Sequence, residues 1–203
     1  MIKNVIFDFG CVLVYWNQHN LYTPYFGSKE KADWFIDNIC TMSWNNETDL
    51  GKRFADAIAE KVAEFPEWEK EIRMYWERWE EMIGGEVTGM KEWIRELKTS
   101  GYGTYGLTNW STETFPFVKD KFEVFGILDG IVMSGEEGVT KPDLRIYQIL
   151  LDRYGLKAEE CLFVDDRLEN VEAARALGMQ GIVFKNCEET KSEFRRYTTI
   201  LDF

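Results

Sequence analysis

Short, largely apolar runs that stop at a polar residue recur along this chain, with helical patterns between them. The first, Val5, Ile6 and Phe7, stops at Asp8 and is followed by Phe9 and Gly10. A brief run of this kind, without apolar–polar alternation, reads as a strand buried on both faces. Strands are predicted over 2–7, 103–107, 130–133, 161–164 and 181–184. Between them 90–98, 143–154 and 168–177 have helical spacing; in the last, Leu168, Val171, Ala174 and Leu177 recur three or four residues apart. Such alternation predicts an α/β fold, a Rossmann-like parallel sheet flanked by helices. The 203 residues suit one core of that kind with a modest insertion.

One stretch breaks the pattern. Between about 15 and 83 there is helical spacing and no convincing buried strand. Phe54, Ile58, Val62 and Phe65 form one stripe, and Trp68, Ile72, Tyr75, Trp76, Trp79 and Ile83 form another. Six of the eight tryptophans fall here, enough apolar surface for a small core. Gly84 and Gly85 read as a flexible return. The expected organisation is a core of 1–14 and 84–203 with a helical insertion of 15–83.

The polar residues at the strand ends carry the chemistry. In open parallel sheets the carboxyl edge is where ligands bind. Asp8 sits there after the first strand, Thr108 and Asn109 after the second, Lys141 before Pro142, and Asp165 with Asp166 after the fourth. Each has a bland reading: a strand-bounding Asp, turn chemistry for Thr-Asn, a surface Lys, and an acidic pair favoured at a helix start. Their order changes the balance. Asp8, Thr108-Asn109, Lys141 and Asp165-Asp166 together resemble the four motifs of the haloacid dehalogenase superfamily of hydrolases, in its subgroup with a helical cap after the first motif.

That resemblance implies roles. Asp8 would be the nucleophile, forming an aspartyl phosphate. Thr108 and the Asn109 amide would bind the phosphoryl group, and Lys141 would pair with both Asp8 and phosphate. Asp8, the Gly10 carbonyl, Asp165 and Asp166 would hold Mg²⁺, an ion that prefers oxygen ligands; Asp166 could bind directly, through water or from behind Asp165. Asn170 would reach back to the acidic loop or cap the chain locally. The family's phosphatases usually carry a second Asp two residues after the nucleophile, as general acid. Here that position is Gly10, as in the α-glucose-1-phosphate phosphatase type. General-acid help is worth roughly 10²–10⁴ in rate. Tyr15, His19 and Asp49 are the candidate substitutes, and a sugar 1-phosphate, with its more acidic leaving oxygen, would need such help least. Tyr15, Trp16, Trp44 and Asn45 are candidates to face the substrate.

The expected activity is therefore Mg²⁺-dependent hydrolysis of a small phosphorylated metabolite, sugar phosphates favoured. A metal-free 2-haloacid dehalogenase is the alternative, although that group typically carries Tyr where this chain has Gly10. A catalytically weak phosphate-binding regulator is the third reading. A net charge of −12 argues against nucleic acid as a partner. The cysteines at 11, 40, 161 and 187 show no metal or redox spacing. No leader-like segment precedes the first strand and no run approaches the ~20 apolar residues of a membrane span, so a cytoplasmic protein with no membrane association is expected.

Overall fold

The structure is a computed structural model and describes residues 1–198. In chain order, β1 (Asn4–Phe7) is followed by β2 (Val14–Trp16), then by helices α1 (His19–Phe26), α2 (Lys29–Asn38), α3 (Met42–Asp49), α4 (Phe54–Glu64) and α5 (Glu69–Glu77), and by β3 (Ile83–Glu86). The chain then alternates through α6 (Met90–Thr99), β4 (Gly103–Thr108), the short α7 (Phe115–Lys119) and α8 (Glu123–Gly126), β5 (Gly130–Met133), α9 (Ser134–Glu137), α10 (Leu144–Tyr154), β6 (Cys161–Asp165), α11 (Leu168–Ala176), β7 (Gln180–Val183) and α12 (Cys187–Thr198). Each predicted core strand and helix is present, with ends shifted by a residue or two.

Five strands form one sheet in the order β5-β4-β1-β6-β7, every neighbouring pair parallel. Successive side chains of a strand point to opposite faces, and the two cores follow. Val5 and Phe7 of β1 pack with Met90, Trp93 and Ile94 of α6, and the Phe7 and Trp93 rings meet edge to face at 5.5 Å. Ile6 faces the other way, in the core built with Ile146, Tyr147 and Leu150 of α10 and Ala174 of α11. Burying one such side chain contributes roughly 1.5–3 kcal/mol, so β1 is committed on both faces and its carboxyl end is fixed. Gly106 of β4 belongs to the same arrangement: a Cβ there would overlap the ring of Phe9, which lies one residue beyond Asp8.

The insertion departs from its sequence reading in two respects. The pattern predicts no strand between 15 and 83, yet β2 and β3 pair as an antiparallel ribbon, with Tyr15 opposite Gly85. Three- and four-residue strands leave little periodicity to read. Gly84 and Gly85 are not a loose return, for they lie within β3: a Cβ on Gly84 would sit 2.9 Å from that of Tyr15, and Gly85 has φ 104°. Glycine permits the close pairing. The aromatic side chains of the insertion are also continuous with the sheet's core. Trp79 meets Trp110 at 5.8 Å and Trp76 meets Phe117 at 5.6 Å.

Candidate active site

β4, β1 and β6 are adjacent, so their carboxyl ends deliver Thr108, Asp8 and Asp165 side by side. The Asp8 N–H still donates to the Val164 carbonyl at 2.9 Å, the last rung of the ladder. The chain then turns sharply: the Phe9 carbonyl accepts from the N–H groups of Leu13 (2.9 Å) and Val14 (3.0 Å). Cys11 takes a left-handed φ of 58° inside that turn. Gly10 therefore lies in a bend at the mouth of the site, and a Cβ there would meet no heavy atom within 4 Å.

Lys141 lies at the centre. Its Nζ is 2.7 Å from Asp8 Oδ1 and 2.7 Å from Asp165 Oδ2, and its side chain is 1% exposed. Burial works against its charge, but Asp165 and Asp8 outweigh it and hold the ammonium above its ordinary pKa. Asn109 fixes the Lys141 backbone from both sides: its amide donates to the Lys141 carbonyl (3.1 Å), and its Oδ1 accepts from the Lys141 N–H (2.8 Å). No local pattern around Asn109 marks this side-chain role.

The acidic pair divides. Asp165 is fully buried, and besides Lys141 its carboxylate accepts from the Arg167 N–H (2.9 Å) and from Asn170 Nδ2 (3.0 Å to each oxygen). Asn170 thus reaches the acidic loop as its position suggested. Asp166 fronts the cavity. Oxygens of Asp8, Asp165 and Asp166 lie within 4.8 Å of one another. Burial raises the Asp8 carboxyl to about 7; Lys141 opposes this, while the charges of Asp165 and Asp166 add to it. Asp166 is raised by burial and by Asp165. Three carboxylates face one ammonium, so the cluster is short of positive charge. A hard divalent cation fits this all-oxygen set and would supply it.

A cavity of about 270 Å³ opens beside Asp8 and Asp166. Trp16, Met42, Phe54, Trp79 and Trp110 form apolar walls; Asn45, Asn46, Asp49, Asn109 and Arg167 supply polar ones. Of the residues offered from sequence, Trp16 and Asn45 line it. Trp44 is buried and donates to the Ala57 carbonyl at 3.2 Å, while Tyr15 is 48% exposed and lies outside. Trp110 directly follows the Thr-Asn motif, and that adjacency was the signal available for it. His19 also lies outside, held by Thr23 (3.1 Å) and Asp33 (3.3 Å). Cys11 lines the cavity, but burial pushes its thiol pKa up, so it is not a thiolate nucleophile. Thr108 is buried, and its hydroxyl has no hydrogen-bond partner among the described residues.

A buried carboxylate at the central strand end, a lysine between two acids and an adjoining cavity define a hydrolase site on a parallel sheet. The chain belongs to the haloacid dehalogenase-like hydrolase family, whose model matches residues 2–178. It is similar to the sesquiterpene phosphatase astK of Aspergillus oryzae, 38% identical over 107 residues, covering 53% of this chain and 55% of the relative. It is also similar to a glyceraldehyde 3-phosphate phosphatase of Pyrococcus furiosus, 29% identical over 115 residues, 55% of this chain and 48% of that one. The chain spans about half the length of these curated relatives. Among solved structures, the magnesium complex of the HAD family enzyme bt-2542 from Bacteroides thetaiotaomicron superposes with a TM-score of 0.75 at 18% identity, covering 96% of this chain and 98% of that one. That likeness concerns the fold. Among the described residues, no helix is long and apolar enough to cross a membrane.

Proposed function

We propose that the protein is a Mg²⁺-dependent phosphatase of small phosphate monoesters, with sugar phosphates the favoured class. The observation that carries this reading is the buried Asp8–Lys141–Asp165 array at the mouth of a cavity, with Asp166 beside it. Residues 15–83 serve as the cap over a core of 1–14 and 84–203, of which 199–203 lie outside the described residues.

Asp8, Asp165, Asp166 and the Gly10 carbonyl form the oxygen set for the ion. Asp166 fronts the cavity and would offer its carboxylate to the ion, while Asp165 also holds Lys141 in place. Bound there, a divalent cation would offset the charge of the carboxylates and polarise the phosphoryl group. Asp8 attacks phosphorus, a P–O bond to its carboxylate forms, and the bond to the alcohol oxygen breaks. Lys141, the Thr108 hydroxyl and the Asn109 N–H stabilise charge on the phosphoryl oxygens in flight. Water then hydrolyses the aspartyl phosphate, releasing phosphate and restoring Asp8. Aromatic walls suit the C–H face of a sugar, and the Asn45 and Asn46 amides suit its hydroxyls.

The test is a screen of sugar, polyol and prenyl phosphates with Mg²⁺, beside the same screen in chelator and with Asp8→Asn. Turnover that needs both the ion and Asp8 is expected. Turnover indifferent to either, or halide release from a 2-haloacid in chelator, would defeat the proposal.

A further inference from the structure

Gly10 leaves the leaving-group oxygen without the carboxyl that most phosphatases of this family are expected to place two residues after the nucleophile. Of the three substitutes considered from sequence, only Asp49 reaches the cavity that Asp8 lines. We propose that Asp49, at the carboxyl end of α3 in the helical insertion, is the acid–base catalyst of this site. The proposal rests on the phosphatase reading above.

The fold holds Asp49 in place by several independent contacts. Its backbone carbonyl accepts from the Ser134 hydroxyl, which in turn accepts from the Trp110 N–H at 2.9 Å. A Cβ on Gly51, two residues on, would lie 3.1 Å from the Gly135 carbonyl oxygen. The first N–H of α4, that of Phe54, donates to Glu113 at 2.6 Å. The end of α3 is thus pinned to the segments after β4 and β5, the first of which opens with Asn109 directly after Thr108. A carboxyl there is held at the cavity that Asp8 also lines, although it belongs to another part of the chain.

The carboxyl group itself is oriented. Asn45 Nδ2 donates to Asp49 Oδ2 at 2.9 Å. The Asn45 amide is fixed in turn, because the Tyr75 hydroxyl donates to its Oδ1 at 2.6 Å. Burial and the charge of Asp8 raise this carboxyl to about 7, against the Ser111 N–H and Lys141, so a proton is available near neutrality. In the first half-reaction Asp49 gives that proton to the departing alcohol oxygen as its bond to phosphorus breaks. In the second, the Asp49 carboxylate takes a proton from the water that attacks the aspartyl phosphate, which returns Asp49 to its acid form.

The experiment compares p-nitrophenyl phosphate, whose leaving group needs no proton, with glycerol 2-phosphate, whose leaving group does. Both are assayed with Mg²⁺ on wild type, Asp8→Asn, Asp49→Asn and the double variant Gly10→Asp with Asp49→Asn. Asp49→Asn should lose roughly 10²–10⁴ in kcat on the alkyl ester and at least tenfold less on the aryl ester. Gly10→Asp should return at least tenfold of the alkyl activity, since a Cβ at position 10 meets no neighbour within 4 Å. Equal losses on the two esters, or no loss, overturn the acid role while leaving a Mg²⁺- and Asp8-dependent phosphatase intact. Wild type inert on both esters overturns the two readings together. If Asp49→Asn fails to fold, wild type alone decides: kcat nearly level across esters from phenols to simple alcohols supports an acid in place, and a steep fall overturns it.

Discussion

Replacing Asp49 by Asn should make the protein more stable above neutral pH, and the gain should fade in mild acid. An ordinary aspartate titrates near 3.8, and burial followed by the Asp8 charge raises Asp49 to about 7, opposed by the Ser111 N–H and Lys141. Asp166 and Arg167 complete the charged lining of the same cavity. The unfolded chain therefore releases a proton that the folded chain retains between the two values. Stability linked to this group is fully present below its unfolded pKa and is lost as pH rises through the folded one. The full difference corresponds to about 4 kcal/mol, and about 3 kcal/mol of it falls between pH 4.5 and 8. Asparagine has the same shape but does not titrate, so it escapes this loss. Urea unfolding of wild type and Asp49→Asn in EDTA, at pH 4.5 and pH 8, gives the difference directly. Asp8 is present in both proteins, so its own titration largely cancels. Stability curves that run parallel within about 0.5 kcal/mol would refute the claim that Asp49 is ionised at a cost, and a variant less stable at pH 8 would reverse its sign.

Thr108→Val should raise the melting temperature without ligand, because it removes a buried hydroxyl that has no partner at a desolvation cost of about 1–3 kcal/mol; inorganic phosphate binding by calorimetry should weaken in the same variant. Lys141→Met leaves Asp8 and Asp165 buried without their cation. Denaturant unfolding at neutral pH should show a loss of about 3–5 kcal/mol, and kcat should fall by about 10²–10³ or more. Ser134→Ala breaks the link between the Asp49 carbonyl and the Trp110 N–H; thermal melts should show a loss of about 1–3 kcal/mol, with a larger fractional loss of kcat on alkyl than on aryl phosphates.

The core of this fold was legible because its signals are local. Buried parallel strands are continuous apolar runs, and their helices repeat every three or four residues, so β1, β4, β5, β6 and β7 could be placed within a residue or two. Asp8, Lys141 and Asp165 could be named because each follows or precedes such an element, and the structure brings all three within hydrogen-bonding reach. The ribbon of β2 and β3 was not legible. Three and four residues cannot display a period, and glycines at 84 and 85 suit close pairing and flexibility equally well on paper. The side-chain work of Asn109 on the Lys141 backbone was hidden for another reason: it joins residues 32 positions apart. Asp49 could be named only as one of three, since choosing it from Tyr15 and His19 requires knowing which end of which helix faces the sheet.

With residues 15–83 as the proposed cap, a catalytic acid carried on α3 would change what its closure achieves. With the acid two residues after the nucleophile, both groups would sit on one loop, and the chemistry would be complete whether or not the cap was seated. Here Asp8 follows β1 and Lys141 precedes α10, while Asp49 is held at their cavity through Ser134, Ser111 and Glu113–Phe54 contacts to the insertion. Opening the cap would withdraw the proton donor along with the aromatic walls, so an ordinary phosphate ester would be cleaved only in the closed state. Specificity would then follow from which alcohols allow the Asp49 end of α3 to dock. An acidic leaving group would no longer be a requirement, and the substrate range would widen from sugar 1-phosphates to esters of ordinary alcohols that fit between Trp16, Trp79 and Trp110.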